Sequence, residues 1–158
     1  MKKNAGTTLI EILIVIFVFS LMVSLGFVSL LNVRSSASVS TSEYTLITDI
    51  KNQQIKAMVG DTEGRGTPDT YSIHIDPNQY VLFHGQSYSA GDSSNFAVPV
   101  TSEFTLSTTF ANNSIVFASG SGEIMNFVQN QDTITFTNTS TNQQTRVQLN
   151  KYGVITAN

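Results

Sequence analysis

The chain has 158 residues, a formal net charge of −3, 12 % charged residues and no cysteine. This length suits one small domain with one additional element. The absence of cysteine excludes a disulfide framework, a thiolate metal site and a cysteine nucleophile. The weak negative charge gives no general indication of a nucleic-acid partner.

A long apolar run, residues 9–31, dominates the N-terminal part of the sequence. It reads LIEILIVIFVFSLMVSLGFVSLL and contains one charged residue, Glu11. As a helix it would extend about 34 Å at about 1.5 Å per residue, enough to cross a hydrocarbon core of about 30 Å. A core helix of a small domain would not be apolar on every face. We therefore expect this run to lie in lipid.

The flanks of the run leave three interpretations, namely a secretory signal, a plain membrane anchor and an anchor with a further role. Lys2 and Lys3 precede it, so the positive-inside rule places the N-terminus in the cytoplasm. A secretory signal cleaved near Ser36 or Ser38 would have a shorter apolar stretch. A plain single-pass anchor explains the length and the orientation of the run, but not a carboxylate within it.

Glu11 has two compatible explanations. Thr8 and Glu11 have the spacing of a capping box, which satisfies two free amides at a helix start, and a carboxylate there also interacts favourably with the helix dipole. Alternatively, Glu11 pairs with a positive charge on another subunit. If the chain is cut between Gly6 and Thr7, the new α-amine of Thr7 supplies that charge.

Lys2-Lys3-x-x-Gly6 followed by TTLIEILIVI resembles the prepilin leader of type IV pilins and type II secretion pseudopilins. The resemblance covers residues 1 to about 31. It implies cleavage between Gly6 and Thr7 by prepilin peptidase, N-methylation of Thr7, and subunit registration through Glu11.

The same resemblance implies a location and a set of partners. The precursor would insert once into the bacterial cytoplasmic (inner) membrane, with its β domain outside. It would then assemble with other pilin or pseudopilin subunits through its N-terminal helix, on an inner-membrane assembly platform. Thr7 stands where Phe is usual, no proline falls near Val28, and the frequent disulfide is absent. These departures favour a minor subunit.

Beyond the apolar run, residues 32–59 contain neither Pro nor Gly. Ile47, Ile50, Ile55 and Met58 recur at helical spacing and predict the buried face of an amphipathic helix. The Ser/Thr-rich residues 35–42 have low helix propensity, which allows a flexible or partly unwound segment. Gly60 supplies a stop signal.

The period changes to two after the loop at residues 60–69, and this change predicts strands. We expect strands at 71–75, 80–83, 104–110, 114–118, 124–127, 133–137, 145–149 and 154–156, with hairpin turns at 119–122 and 151–153. The fold class is therefore α+β. The predicted divisions are a leader at 1–6, a transmembrane and filament-core helix at 7–31, its soluble continuation at 32–59, and a β-rich domain at 60–158.

Residues of the types that often serve in catalysis or ligand binding are few and scattered. Asp61, Glu63 and Asp69 carry oxygen ligands suited to calcium, but the EF-hand spacing is missing, so a solvated loop is favoured. His74 and His84 lie near predicted strand ends, where a histidine is usually structural. A metal site would need a third ligand, and the sequence does not indicate one. The basic residues of the soluble part do not cluster, which makes a nucleic-acid partner unlikely. We predict no catalytic residue, metal or cofactor.

The order of the elements is similar to that of the H-type minor pseudopilins and their FimT-like pilus counterparts (GspH/FimT-like). The sequence thus predicts a minor pilin or pseudopilin, a structural subunit of a type IV pilus or a type II secretion pseudopilus, and not an enzyme. The alternative is a membrane-anchored surface module that binds a ligand and does not polymerise.

Overall fold

A computed structural model describes residues 9–156, with side chains described at 9–24 and 41–156. The chain divides into two units, with the boundary between Ser38 and Val39. Among the described residues, no helix combines the length and the apolar character that a membrane crossing requires. The predicted anchor, residues 7–31, extends past the described side chains at both ends.

A single helix, α1, covers Leu9–Val59. It is helical throughout residues 35–42, so the unwinding considered for that segment is wrong. The helix ends in a Schellman motif. Gly60 has a φ of 65°, its N–H donates to the carbonyl of Ala57, and the N–H of Asp61 donates to that of Lys56. Glycine adopts this left-handed conformation without steric cost, and the two bonds satisfy carbonyls left free at the helix end.

The face that α1 buries differs from the predicted one. Leu46, Ile50 and Ala57 are fully buried, whereas Ile55 and Met58 are 55 % and 49 % exposed. Five residues of helix turn through about 140°, so Ile55 cannot share a face with Ile50. Of the four predicted positions, only Ile50 and the partly buried Ile47 contact the core.

The strands form two antiparallel four-stranded sheets. Sheet A has the order β3-β2-β1-β5 and sheet B the order β4-β6-β7-β8. The strands are β1 Tyr71–Asp76, β2 Gln79–His84, β3 Phe96–Pro99, β4 Phe104–Thr108, β5 Ser114–Phe117, β6 Thr133–Asn138, β7 Gln144–Leu149 and β8 Ile155–Thr156. A short 3₁₀ turn, Ala111–Asn113, precedes β5. The α+β class and the antiparallel pairing are confirmed.

The strand prediction has two errors. β3 was not predicted, because its four residues follow a Ser/Gly/Asn-rich segment that masks so short a pattern. The strand expected at 124–127 is wrong, since only an isolated bridge joins Ile124 to Phe117. Instead, the Asn126 carboxamide caps the edge of β5. It accepts from the N–H of Val116 at 3.2 Å and donates to the carbonyl of Ser114 at 2.6 Å.

One hydrophobic core joins residues 46–57 of α1 to both sheets. Leu46 and Ile50 of the helix, Ile73 and Phe117 of sheet A, and Phe136 of sheet B belong to it. On the opposite face of sheet A, Tyr88 of the loop at residues 85–95 lies against His74 and Phe83. Polar side chains of the described residues gather at two places on sheet A, one around His84 and the other around His74.

Candidate functional site

The first described turn of α1 contains one of the predicted site residues. Glu11 lies in this turn, with its side chain exposed. A carboxylate near a helix N-terminus is favoured by the free amides and the helix dipole. Thr8, the other half of the predicted capping box, lies outside the described residues, as do Lys2, Lys3, Gly6 and Thr7. Cleavage, methylation and registration stay predictions.

Every described side chain of residues 9–24 is exposed, although nearly all are apolar. Exposure of the large apolar ones ranges from 45 % at Val23 to 82 % at Leu9. Five of them line a shallow hollow of about 270 Å³: Ile14, Val15, Val18, Phe19 and Met22. An apolar surface of this extent is characteristic of a segment that is covered by another apolar surface. The segment thus offers a helical surface suited to lipid or to other helices.

The loop at residues 60–69 is fixed by ion pairs. Glu63 Oε1 lies 2.6 Å from Lys56 Nζ, and Glu63 Oε2 lies 3.7 Å from Arg65 Nη1. The Lys56 ammonium is the main reason that the pKa of Glu63 lies below its usual range. Tyr71 donates its hydroxyl to the carbonyl of Asp61 at 2.9 Å. The described residues hold no group of three His, Cys, Asp or Glu that could bind a metal.

His84 connects this loop to β2. Arg65 Nη2 lies 2.6 Å from His84 Nδ1, and His84 Nε2 lies 3.0 Å from Glu63 Oε2. Because a guanidinium can only donate, Nδ1 accepts and Nε2 carries the proton that is donated to Glu63. Burial, and next the Arg65 charge, lower the pKa of His84. The ring is thus a structural bridge in its neutral form.

His74 belongs to the second polar cluster, on the face of sheet A away from α1. Its ring stacks on Tyr88, with centroids 4.0 Å apart. Ser114 Oγ donates its one proton to the carbonyl of Asn112, so His74 Nδ1 must donate to Ser114 Oγ at 2.9 Å. Both histidines are thus packed and hydrogen-bonded in the way that is typical of structural residues.

Contacts that position α1 on the sheets were not predicted. Tyr80 donates its hydroxyl to Asp49 Oδ2 at 2.6 Å. Gln54 Nε2 donates to the carbonyls of Gly122 and Tyr152 at 3.0 and 2.7 Å, and Lys51 Nζ donates to that of Gly153 at 2.6 Å. Burial lowers the pKa of Lys51. These contacts cannot be predicted from a local sequence pattern, because each of them joins residues that lie far apart along the chain.

Comparison with known proteins finds one match. Residues 1–27 match the family model of the prokaryotic N-terminal methylation motif. They are about a sixth of the chain and include all five predicted site residues. No curated protein and no solved structure matches the chain. The motif implies processing by prepilin peptidase and assembly with other pilin subunits. Such a role is structural and not enzymatic. The match therefore supports a type IV pilin-like protein with a prepilin-type N-terminus.

Proposed function

We propose that this chain is a minor pilin or pseudopilin of the GspH/FimT-like kind, a structural subunit of a type IV pilus or a type II secretion pseudopilus. The observation that carries the proposal is the N-terminal methylation motif at residues 1–27. It leads directly into residues 9–24 of α1, whose large apolar side chains are all exposed. A filament core built of such helices would cover that surface.

The proposed pathway starts in the cytoplasmic membrane. Residues 7–31 anchor the precursor, with Lys2 and Lys3 in the cytoplasm and the β domain outside. Prepilin peptidase cuts between Gly6 and Thr7, and Thr7 is then N-methylated. Cleavage removes the cytoplasmic charge and exposes the α-amine of Thr7.

Assembly moves the helix from lipid into the filament core. The apolar side chains leave lipid and enter the protein interior of the filament, and both surroundings are apolar. Close packing and polar pairs must therefore supply the driving force for assembly. Glu11 is exposed in the first described turn of α1, and it follows Thr7 by four positions in the sequence. Pairing of Glu11 with the Thr7 amine of a neighbouring subunit would fix the register of the two helices.

The pairing is tested by Glu11→Ala, with Glu43→Ala as the matched control. Both remove a carboxylate from α1, but Glu43 lies far from the helix start. A charge-assisted pair contributes about 1.5–3 kcal/mol, so we expect Glu11→Ala to reduce incorporation into filaments by about tenfold or more. Incorporation is measured by immunoblotting of sheared filaments against the membrane fraction.

Circular dichroism should show both variants as folded as the parent chain, because Glu11 lies outside the hydrophobic core. Normal incorporation of Glu11→Ala would contradict the pairing. Equal loss in Glu43→Ala would show that the effect is not specific to the helix start.

The alternative is a membrane-anchored module that displays the β domain to a surface ligand and never polymerises. A plain anchor needs neither Gly6 nor cleavage. An uncleaved N-terminus in the native membrane would therefore favour this alternative.

A further inference from the structure

The loop at residues 60–69, which joins α1 to β1, is held against the domain mainly by polar contacts. None of residues 61–69 is buried, and residues 63–68 are all exposed. A segment that buries no apolar side chain gains little hydrophobic free energy from its position and opens more easily than the core. The position of this loop therefore depends on its ion pairs and hydrogen bonds.

The contact between Arg65 and His84 sets a condition on the charge of the histidine. Arg65 Nη2 lies 2.6 Å from His84 Nδ1. A guanidinium has no acceptor and does not lose its proton in proteins, so this hydrogen bond exists only while Nδ1 carries no proton. A proton on Nδ1 would set two donors and two positive charges against each other. The closed loop is thus compatible only with neutral His84.

The other side-chain contacts of Arg65 are weaker than this hydrogen bond. Its Nη1 lies 3.7 Å from Glu63 Oε2, and its Nη2 lies 3.4 Å from the Tyr71 hydroxyl. An ion pair between exposed side chains contributes only about 0–1 kcal/mol. Gly64 and Gly66 flank Arg65, and a Cβ added at either glycine would meet nothing within 4 Å. Loss of the bond to His84 would therefore leave this segment with little to restrain it.

The groups around His84 act on its charge in opposite directions. Glu63 Oε2, 3.0 Å from His84 Nε2, favours the imidazolium, but Lys56 and Arg65 compete for the same carboxylate. Burial of the ring and the Arg65 charge have the larger effect, since the pKa of His84 lies below its ordinary value. Titratable or charged groups face His84 from four elements: Lys56 of α1, Glu63, Arg65 and Asp69 of the loop at 60–69, Tyr71 of β1, and Asp92 of the loop at 85–95.

From this geometry we propose that the loop at residues 60–69 is an acid-released clasp, in which protonation of His84 detaches Arg65 and opens residues 64–68. The two sheets stay folded when the clasp opens. The ends of β1 and β2 are joined by bonds that do not involve the histidine ring, from the N–H of Gly85 to the carbonyl of Thr70 and from Ser72 Oγ to the carbonyl of Gly85. The clasp is separate from the N-terminal segment and does not depend on the filament function.

The test is amide hydrogen exchange of the full chain in detergent micelles, measured by mass spectrometry at several pH values and corrected for the intrinsic rate at each. The N–H of Arg65 donates to the carbonyl of Thr62 at 2.8 Å and reports on the closed loop. Because a hydrogen bond to a charged group contributes about 1.5–3 kcal/mol, we expect protection of residues 61–68 to fall about tenfold or more below about pH 6.5. Protection of β1 should not change.

The key variant is His84→Gln, with His74→Gln as the matched control. Glutamine can accept from Arg65 and donate to Glu63 but does not titrate, so in His84→Gln the loop should stay protected as the pH falls. His74→Gln removes the other histidine of sheet A and should keep the transition of the parent chain. Arg65→Ala should leave the loop unprotected at pH 7.5 and raise the pKa of His84, as measured by NMR titration of its ring protons.

Three results would overturn the proposal. One is protection of residues 61–68 that does not change while His84 titrates in the parent chain. Another is an equal loss of protection in His84→Gln, which would assign the opening to a different group. The third is an unchanged pKa of His84 in Arg65→Ala, a result that decides the matter even if His84→Gln does not fold.

Discussion

The hydrogen bond between Tyr80 and Asp49 joins β2 to α1 at the side of the core. Tyr80 is 2 % exposed, and its hydroxyl has one acceptor, the Asp49 carboxylate. Burial, and then the hydrogen bond to Asp49, raise the pKa of Tyr80 far above its ordinary value. The raised pKa favours the protonated phenol, the form that donates to Asp49.

Tyr80→Phe should lower the free energy of unfolding by about 1–2 kcal/mol, because it leaves a half-buried carboxylate without its donor. Chemical denaturation measures the change. In a double-mutant cycle with Asp49→Ala, the combined loss should be smaller than the sum of the single losses. Strict additivity would show that the hydrogen bond contributes nothing to stability.

The second prediction for a single residue concerns His84 and the pH dependence of stability. Its pKa is lowered in the folded chain by burial and by Arg65, and Glu63 and Asp69 oppose this shift only in part. The unfolded chain then binds more protons just below the ordinary histidine pKa of about 6.5. The stability due to neutral His84 is complete above that pH and is lost as the pH falls toward the folded-state pKa.

His84→Gln should flatten this dependence. The Tm of the parent chain should fall as the pH decreases below about 6.5, and the Tm of the variant should fall less. This window lies above the one for Glu63, whose pKa is lowered from a usual value near 4.5 and whose contribution is lost only in stronger acid. Identical pH profiles of parent and variant would contradict the bridging role of His84.

At the scale of elements, α1 is held by loops as well as by the core. The turn at 119–122 lies against the helix, where the N–H of Gly120 donates to the carbonyl of Ala57. Gly122 has a φ of +67°, and a Cβ added there would overlap the Met58 side chain. Gly120 has a φ of +83°, but an added Cβ would meet nothing within 4 Å.

These two glycines form a matched pair. Gly120→Ala introduces only backbone strain and should cost about 1 kcal/mol. Gly122→Ala adds the overlap with Met58 and should cost about 2–4 kcal/mol. Thermal unfolding of the two variants measures the difference. Equal losses would show that the turn does not approach the helix as closely as described.

Sequence patterns predicted most elements, because burial on one face imposes a period on each of them. β1, β2, β4, β5, β6 and β7 fall close to their expected positions. The patterns failed where a side chain replaces a backbone partner. The Asn126 side chain makes the hydrogen bonds that a strand beside β5 would make, and the apolar residues at 124–127 suggested a strand there. The helix face was misassigned because Ile55 and Met58 are apolar but exposed.

At the scale of the whole molecule, the sequence assigns the polar site residues to the N-terminus, and the structure describes one of them, Glu11. The prediction of this site came from a local motif, in which residue type and spacing carry the information. The contacts of Gln54 with the carbonyls of Gly122 and Tyr152 were not predictable, since these residues lie far apart along the chain. No sequence pattern brings those residues together without the fold.

The central claim is prepilin processing, and it concerns the whole chain. Intact-mass and N-terminal peptide mass spectrometry of the protein from its native membrane test it most directly. Our account predicts a chain that begins at Thr7 and carries one added methyl group on its α-amine. A chain that begins at Met1 would contradict it and indicate a simple anchored β domain. A start beyond about Ser36 would contradict it as well, because residues 9–31 would then be part of a secretory signal.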